Sequence, residues 1–142
     1  MRSALSVFAA ILLAACTTPA AGPTPDPTIH VRLTNSGMEP LTCQLIFGHW
    51  VERDLGPLAP GADTGFNMQQ QPKDGALYIM RDDGQRRMMI ENLVCGRAGD
   101  WQRSRGEVDL ASVRAQRPRE IWARCALPAE GRTDCAPLVL KP

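Results

Sequence analysis

Residues 121–140 read IWARCALPAEGRTDCAPLVL, which is the pattern of a β-hairpin closed by a disulfide. The apolar residues at both ends of this stretch are typical of strands, and the polar residues between them supply a turn. If the turn centres on Glu130, then Cys125 and Cys135 lie five residues to either side and face each other. Cross-strand neighbours are close enough for a disulfide, so the sequence predicts a Cys125–Cys135 bond.

Short apolar runs separated by turn signals continue outward from this hairpin. Strands are predicted at residues 29–33, 41–47, 50–58, 64–68, 77–80, 87–95, 121–127 and 136–140. One short helix is predicted at 110–116, because Asp109 can cap its start and Pro118 cannot continue it. The predicted fold is therefore all-β: a small β-sandwich or barrel-like domain with one short helix and two disulfides.

The N-terminus has the features of an export signal. Arg2 lies near the start, and residues 4–15 are apolar except for Ser6. A membrane-spanning helix needs about 20 apolar residues, so this shorter run predicts a processed signal peptide. The run ends in the sequence Leu13-Ala14-Ala15-Cys16.

This ending resembles the lipobox of bacterial lipoproteins at all four positions, although the resemblance covers only the first sixteen residues. It implies that residues 1–15 are removed and that Cys16 receives a diacylglycerol. The sorting position holds Thr17, and not the Asp that favours inner-membrane retention, which implies an outer-membrane anchor facing the periplasm. The alternative is an ordinary signal peptide with an incidental cysteine and a soluble periplasmic product.

Residues 16–27 are predicted to be the lipidated cysteine and a tether. Four prolines lie among small residues in this segment: Pro19, Pro23, Pro25 and Pro27. Such a composition cannot bury a core and favours extended polyproline II, which rises ~3.1 Å per residue. Residues 28–142 then have the length of a single globular domain with one core.

Four cysteines remain in that domain: Cys43, Cys95, Cys125 and Cys135. An even number in an exported domain predicts two disulfides, which can pair in three ways. Because the hairpin favours Cys125 with Cys135, Cys43 is left for Cys95. A structural zinc site is the rival use, but the cysteines lack Cys-x2–4-Cys spacing. They also lack the Cys-x-x-Cys spacing typical of redox catalysis.

The charge of the chain argues against bulk nucleic-acid binding. Without Arg2, 15 basic residues balance 15 acidic ones. Residues 97–124 nevertheless hold seven arginines and four acidic residues. Because arginine grips carboxylate and phosphate groups bidentately, the candidate partner-binding residues are Arg103, Arg105, Arg117 and Arg119. The alternative interpretation is a solvated charged face.

No catalytic pattern is present. The three serines of the domain lie outside any Gly-x-Ser-x-Gly sequence, so a hydrolase elbow has no support. His30 and His49 are interpreted as surface or packing residues, and Asp82-Asp83 as turn residues. The sequence therefore predicts a protein that is not an enzyme, with no cofactor and no resident metal.

The predicted function is that of a lipid-anchored cell-envelope protein acting as a binding or assembly module. It would dock an envelope protein partner through an exposed strand edge or through the arginines. The alternative is a periplasmic copper-binding protein, since thioethers suit Cu(I). Its ligands would come from His49 and the methionines Met38, Met68, Met80, Met88 and Met89. The methionines are also explained as fillers of irregular gaps in a small core.

Overall fold

The structure is a computed structural model that describes residues 25–48, 51–136 and 139–142. The predicted signal peptide, the lipidation site Cys16, most of the predicted tether and His49 lie outside these residues. The elements are β1 (Thr28–Asn35), β2 (Leu41–Phe47), β3 (Val51–Leu58), β4 (Asp63–Gln70), β5 (Leu77–Met80), β6 (Arg87–Gly96), α1 (Trp101–Ser104), β7 (Gly106–Glu107), α2 (Ala111–Gln116), β8 (Glu120–Ala126), β9 (Asp134–Cys135) and β10 (Val139–Lys141).

The strands form one sheet that folds over on itself. Its order is β10-β8-β1-β4-β5-β6-β2-β3, with β7 beside β6 and β9 beside β8. The turning point is β6, whose first residues pair with β5 and whose later residues pair with β2. We call β10, β8, β1, β4 and β5 the first part of the sheet, and the later half of β6 with β2 and β3 the second part. The predicted all-β class is confirmed.

The core lies between the two parts of the sheet. Alternate residues are buried along β1 and along β2, as expected for strands with one face on a core. The buried faces include Ile29 and Leu33 from β1 and Leu45 and Phe47 from β2, and they belong to one cluster. One shared core therefore holds both parts together.

Both predicted disulfides are confirmed. Cys43 on β2 is bonded to Cys95 directly opposite on β6, and Cys125 on β8 to Cys135 opposite on β9. The two bonds are neighbours, because the sulfur atoms of Cys95, Cys125 and Cys135 lie within 4.8 Å of one another. One bond belongs to each part of the sheet, so their packing joins the two parts inside the core.

Three features differ from the sequence-based expectation. The last predicted strand is two short strands, β9 and β10, separated by residues that include 137 and 138, which lie outside the described part. β8 pairs with β1 in parallel, in addition to its antiparallel hairpin partners. The helical turn α1 was not predicted, whereas α2 was, with the Asp109 carboxylate accepting the backbone N–H of Ala111 at 2.9 Å.

The folded contacts reach back to the last residues of the predicted tether. The hydroxyl of Tyr78 donates to the carboxylate of Asp26 at 2.8 Å, and Arg87 lies 3.0 Å from that carboxylate. The carbonyl of Pro27 accepts the backbone N–H of Gln70. The chain therefore enters the domain beside β5 and the start of β6.

The two disulfides are expected to contribute unequally to stability. Their sequence separations are 52 and 10 residues. Loop closure in the unfolded chain predicts a contribution of about 4 kcal/mol for the longer loop and about 3 kcal/mol for the shorter one. The double variant Cys43→Ala/Cys95→Ala should thus lose more free energy of unfolding than Cys125→Ala/Cys135→Ala in urea titrations. A larger loss of unfolding free energy in Cys125→Ala/Cys135→Ala than in Cys43→Ala/Cys95→Ala would contradict this prediction.

Tyr78, the one tyrosine of the chain, should ionise at unusually high pH. Burial raises its pKa above 10.0, and the hydrogen bond from its hydroxyl to Asp26 raises it further, while Arg87 opposes them. The native state holds this proton more tightly than the unfolded chain does, so the stability contributed by Tyr78 is lost as pH rises past the ordinary tyrosine pKa. Ultraviolet absorbance of the phenolate measures the titration.

The matched variant for this titration is Asp26→Asn, which removes the negative charge beside the phenol. It should lower the pKa of Tyr78 relative to the native chain. A midpoint at or below 10.0 in the native chain would contradict a Tyr78 pKa raised by burial and by Asp26.

Candidate functional site

The four arginines predicted to bind a partner form two separate pairs, Arg103 with Arg105 and Arg117 with Arg119. The first pair flanks Ser104, whose carbonyl accepts hydrogen bonds from Thr133, next to the C-terminal end of β8. The second pair immediately precedes β8. A strand rises ~3.3 Å per residue, so the seven residues of β8 separate the pairs by about 20 Å. All four side chains are exposed, but the structure does not bring them into one patch.

Two of the methionines predicted as copper ligands, Met38 and Met68, lie apart from the other three. Met68 is 1% exposed in the core, whereas Met38 is 88% exposed on the turn between β1 and β2. Met88 and Met89 are consecutive on β6 and line one cavity together, and Met88 lines a neighbouring cavity with Met80. Met80, on β5, is half-buried.

The remaining polar candidates have local partners. His30 is exposed, and its Nδ1 lies 2.8 Å from the side-chain oxygen of Asn67 on the neighbouring strand. The Asp83 carboxylate accepts the backbone N–H of Gln85 at 2.9 Å, and this hydrogen bond is the main cause that lowers the pKa of Asp83. Asp83 thus acts as a turn residue, in agreement with the sequence interpretation.

A different site lies along the side where the sheet fails to close. A cavity of about 480 Å³ is lined by Phe47 and Val51 from the second part of the sheet and by Met88 and Met89 from β6. A cavity of about 220 Å³ continues from it and shares Met88. A third, of about 360 Å³, reaches the exposed edge of β4. We call these three cavities together the seam groove.

The seam groove exists because two neighbouring strand edges stay unpaired. Among the residues that the structure describes, β3 is the last strand of the sheet order and has β2 as its one partner. β4 pairs with β5 only through Gln69 and Gln70, so its earlier residues leave one edge free of any described strand. Leu45, Phe66 and Ile79 line the third cavity, between these two edges. Side chains of the core therefore form the floor of the groove.

Charged side chains surround this apolar floor. Arg81, Arg86 and Arg87 line the first cavity, and Arg53 lies between the second and third. Arg86 is ion-paired with Asp83 at 3.4 Å. Arg87 is held by Asp26 and stacks on the ring of Tyr78, 4.6 Å from its centroid.

The edge of β3 carries features that discourage indiscriminate strand pairing. Glu52, Arg53 and Asp54 are consecutive and exposed, and Pro57 lacks a backbone N–H. At the open end of the groove, two apolar side chains remain in water, Val51 at 46% exposure and Met89 at 36%. The charged residues and Pro57 thus protect the edge of β3, while the seam groove beside this edge keeps accessible apolar side chains.

Sequence reasoning identified the strands that line the seam groove but not the groove. Residues 50–58 and 77–80 were predicted as strands from their apolar and turn patterns. Which strand lies at the edge depends on pairing between distant segments, and no local pattern reports it. The charged run Glu52-Arg53-Asp54 inside the predicted strand is the sequence signal that could have pointed to this edge.

Comparisons with known proteins give no further guidance, because no protein-family model, curated protein or solved structure matches this chain. Within residues 25–48, 51–136 and 139–142, no helix has the length and apolar character needed to cross a membrane.

Proposed function

We propose that this chain is a lipid-anchored protein of the bacterial cell envelope that acts as a binding module, without a catalytic step. The seam groove would capture an extended segment of an envelope protein partner. The observation that carries this proposal is the apolar groove running beside the unpaired edge of β3. The lipobox residues ending at Cys16 and the Pro-rich segment after them support the anchored location.

The backbone of β3 supplies the first half of the binding interaction. In an antiparallel pair, alternate residues direct their N–H and C=O groups away from the partner strand. Residues Val51–Asp54 follow β2 in regular register, and the register shifts beyond them. A bound segment would therefore pair mainly with this part of β3, by adding one strand to the sheet.

The floor of the groove supplies the second half. Side chains alternate along a strand, so every second residue of the bound segment would point into the groove. Phe47, Ile79 and Met88 offer apolar contacts there, and methionine adapts readily to different shapes. The partner segment is thus expected to be apolar at alternate positions.

The position of the tether fits this arrangement. Asp26, near the end of the predicted tether, contacts Arg87, and Arg87 lines the first cavity. The domain is therefore attached beside its own groove. A segment held in the groove would lie close to the point where the anchored chain enters the domain.

Site-specific cross-linking in cells tests the proposal. A photoreactive residue at Val51 or at Met89 should cross-link to one recurrent envelope protein, because both side chains lie at the open end of the groove. The matched control is Met38, which is more exposed but lies on the turn between β1 and β2. Mass spectrometry identifies the products and the cross-linked peptide of the partner.

A charged substitution makes the same test quantitative. Val51→Glu should lower recovery of the cross-link from Met89 about tenfold or more, since a carboxylate in an apolar contact costs at least ~1.4 kcal/mol. Met38→Glu should leave it unchanged. Equal cross-linking from Met38, or a cross-link from Met89 that is insensitive to Val51→Glu, would contradict binding in the groove.

A further inference from the structure

A separate cavity of about 300 Å³ lies on the outer face of the first part of the sheet. Its walls include Trp122 and Arg124 from β8 and Arg32 and Thr34 from β1. These side chains point away from the core, since the residues that alternate with them, such as Val31 and Ala123, are buried. We call this cavity the Trp122 cleft.

The parallel pairing of β1 and β8 builds the cleft. Arg32 is the register partner of Trp122, and Thr34 is the register partner of Arg124. The four side chains therefore stand in two adjacent rows on one surface. An aromatic ring, two guanidinium groups and a hydroxyl are brought together by strands that are far apart in the sequence.

The indole of Trp122 is held in place from one side. Its Nε1–H donates to the carboxylate of Glu120 at 2.6 Å, and the ammonium of Lys141 lies 3.4 Å from the centroid of the ring. Glu120 is two residues before Trp122 on β8. Lys141 on β10 is the register partner of Glu120. Arg124 is two residues after Trp122. Lys141 thus lies against the indole, and Trp122 also lines the cleft.

The two arginines differ in their engagement. Arg32 is ion-paired with Asp63 at 3.2 Å, and its guanidinium lies 5.7 Å from the centroid of the Trp122 ring. None of the ion pairs between described residues includes Arg124. Arg124 is also exposed, so its planar fork of donors is available to an anionic group in the cleft.

We propose that the Trp122 cleft binds a pyranose sugar that carries a carboxylate. The apolar C–H face of the sugar packs on the part of Trp122 that lines the cleft, where an aromatic surface provides apolar contact. The carboxylate accepts hydrogen bonds from Arg124, with Arg32 adding positive charge beside it. The hydroxyl groups of Thr34 and Ser36 at the cleft are suited to sugar hydroxyls.

The combination of groups selects this ligand class. A free phosphate would use the guanidinium groups but not the indole, and a neutral sugar would use the indole but not Arg124. A ligand with both an apolar ring face and an anionic group uses all of the walls. This site lies on the face opposite the core and is independent of the seam groove.

The test is a titration of the full-length chain, kept in a detergent without sugar groups, with D-glucuronate. Two-dimensional NMR of the indole N–H groups reports binding at Trp122. We expect saturable shifts with D-glucuronate and at least tenfold weaker binding of D-glucose and of inorganic phosphate. Arg124→Gln should weaken D-glucuronate binding at least tenfold, while the exposed control Arg103→Gln should leave it unchanged.

Several outcomes would overturn the proposal. Absence of saturable D-glucuronate binding by the folded chain is one. Phosphate binding as tightly as D-glucuronate would leave an anion site only, and equal binding of D-glucose would remove the role of Arg124. An unchanged affinity of Arg124→Gln for D-glucuronate would likewise show that Arg124 does not bind the carboxylate. Because Arg124 is exposed, this variant is expected to fold, and the dispersion of the NMR spectrum verifies it.

Discussion

The packing of two disulfides against each other is the contact on which this fold depends. Cys43–Cys95 ties β2 to β6 in the second part of the sheet, and Cys125–Cys135 ties β8 to β9 in the first. Their sulfur atoms meet in the core. β7 lies at the same junction, pairing with β6, and its Gly106 approaches the carbonyl of Thr133 so closely that no side chain fits there. A domain of this size gains rigidity where its sheet folds over.

Joining the sheet at this end leaves the other end open. The strands beside the disulfides are paired, whereas β3 and the first residues of β4 keep free edges, and the core side chains between them form the floor of the seam groove. The outer face has the opposite character, because parallel pairing of β1 with β8 gathers charged and aromatic side chains around Trp122. One asymmetric sheet thus provides an apolar groove at an edge and a polar cleft on a face.

The sequence was sufficient for the strands and the disulfides because both are encoded locally. The side-chain pattern predicted the strand at 41–47, the adjacent turn at Asp82-Asp83-Gly84 predicted the one at 77–80, and the turn around Glu130 placed Cys125 opposite Cys135. The sites were not predictable in this way. The seam groove depends on which strand ends the sheet, and the Trp122 cleft depends on a parallel pairing across about ninety residues. The density of arginines along the sequence likewise predicted one binding surface, whereas the two arginine pairs lie at opposite ends of β8.

We propose above all that β3 is a sheet edge that stays open for a strand of the partner. Amide hydrogen exchange, read by mass spectrometry on the full-length chain in its native membranes and again after purification, tests it most directly. We expect slower exchange in residues 51–54 within the membranes, where the partner would add a strand, and unchanged exchange in the buried strand β1. Equal exchange of residues 51–54 in both preparations would contradict the claim.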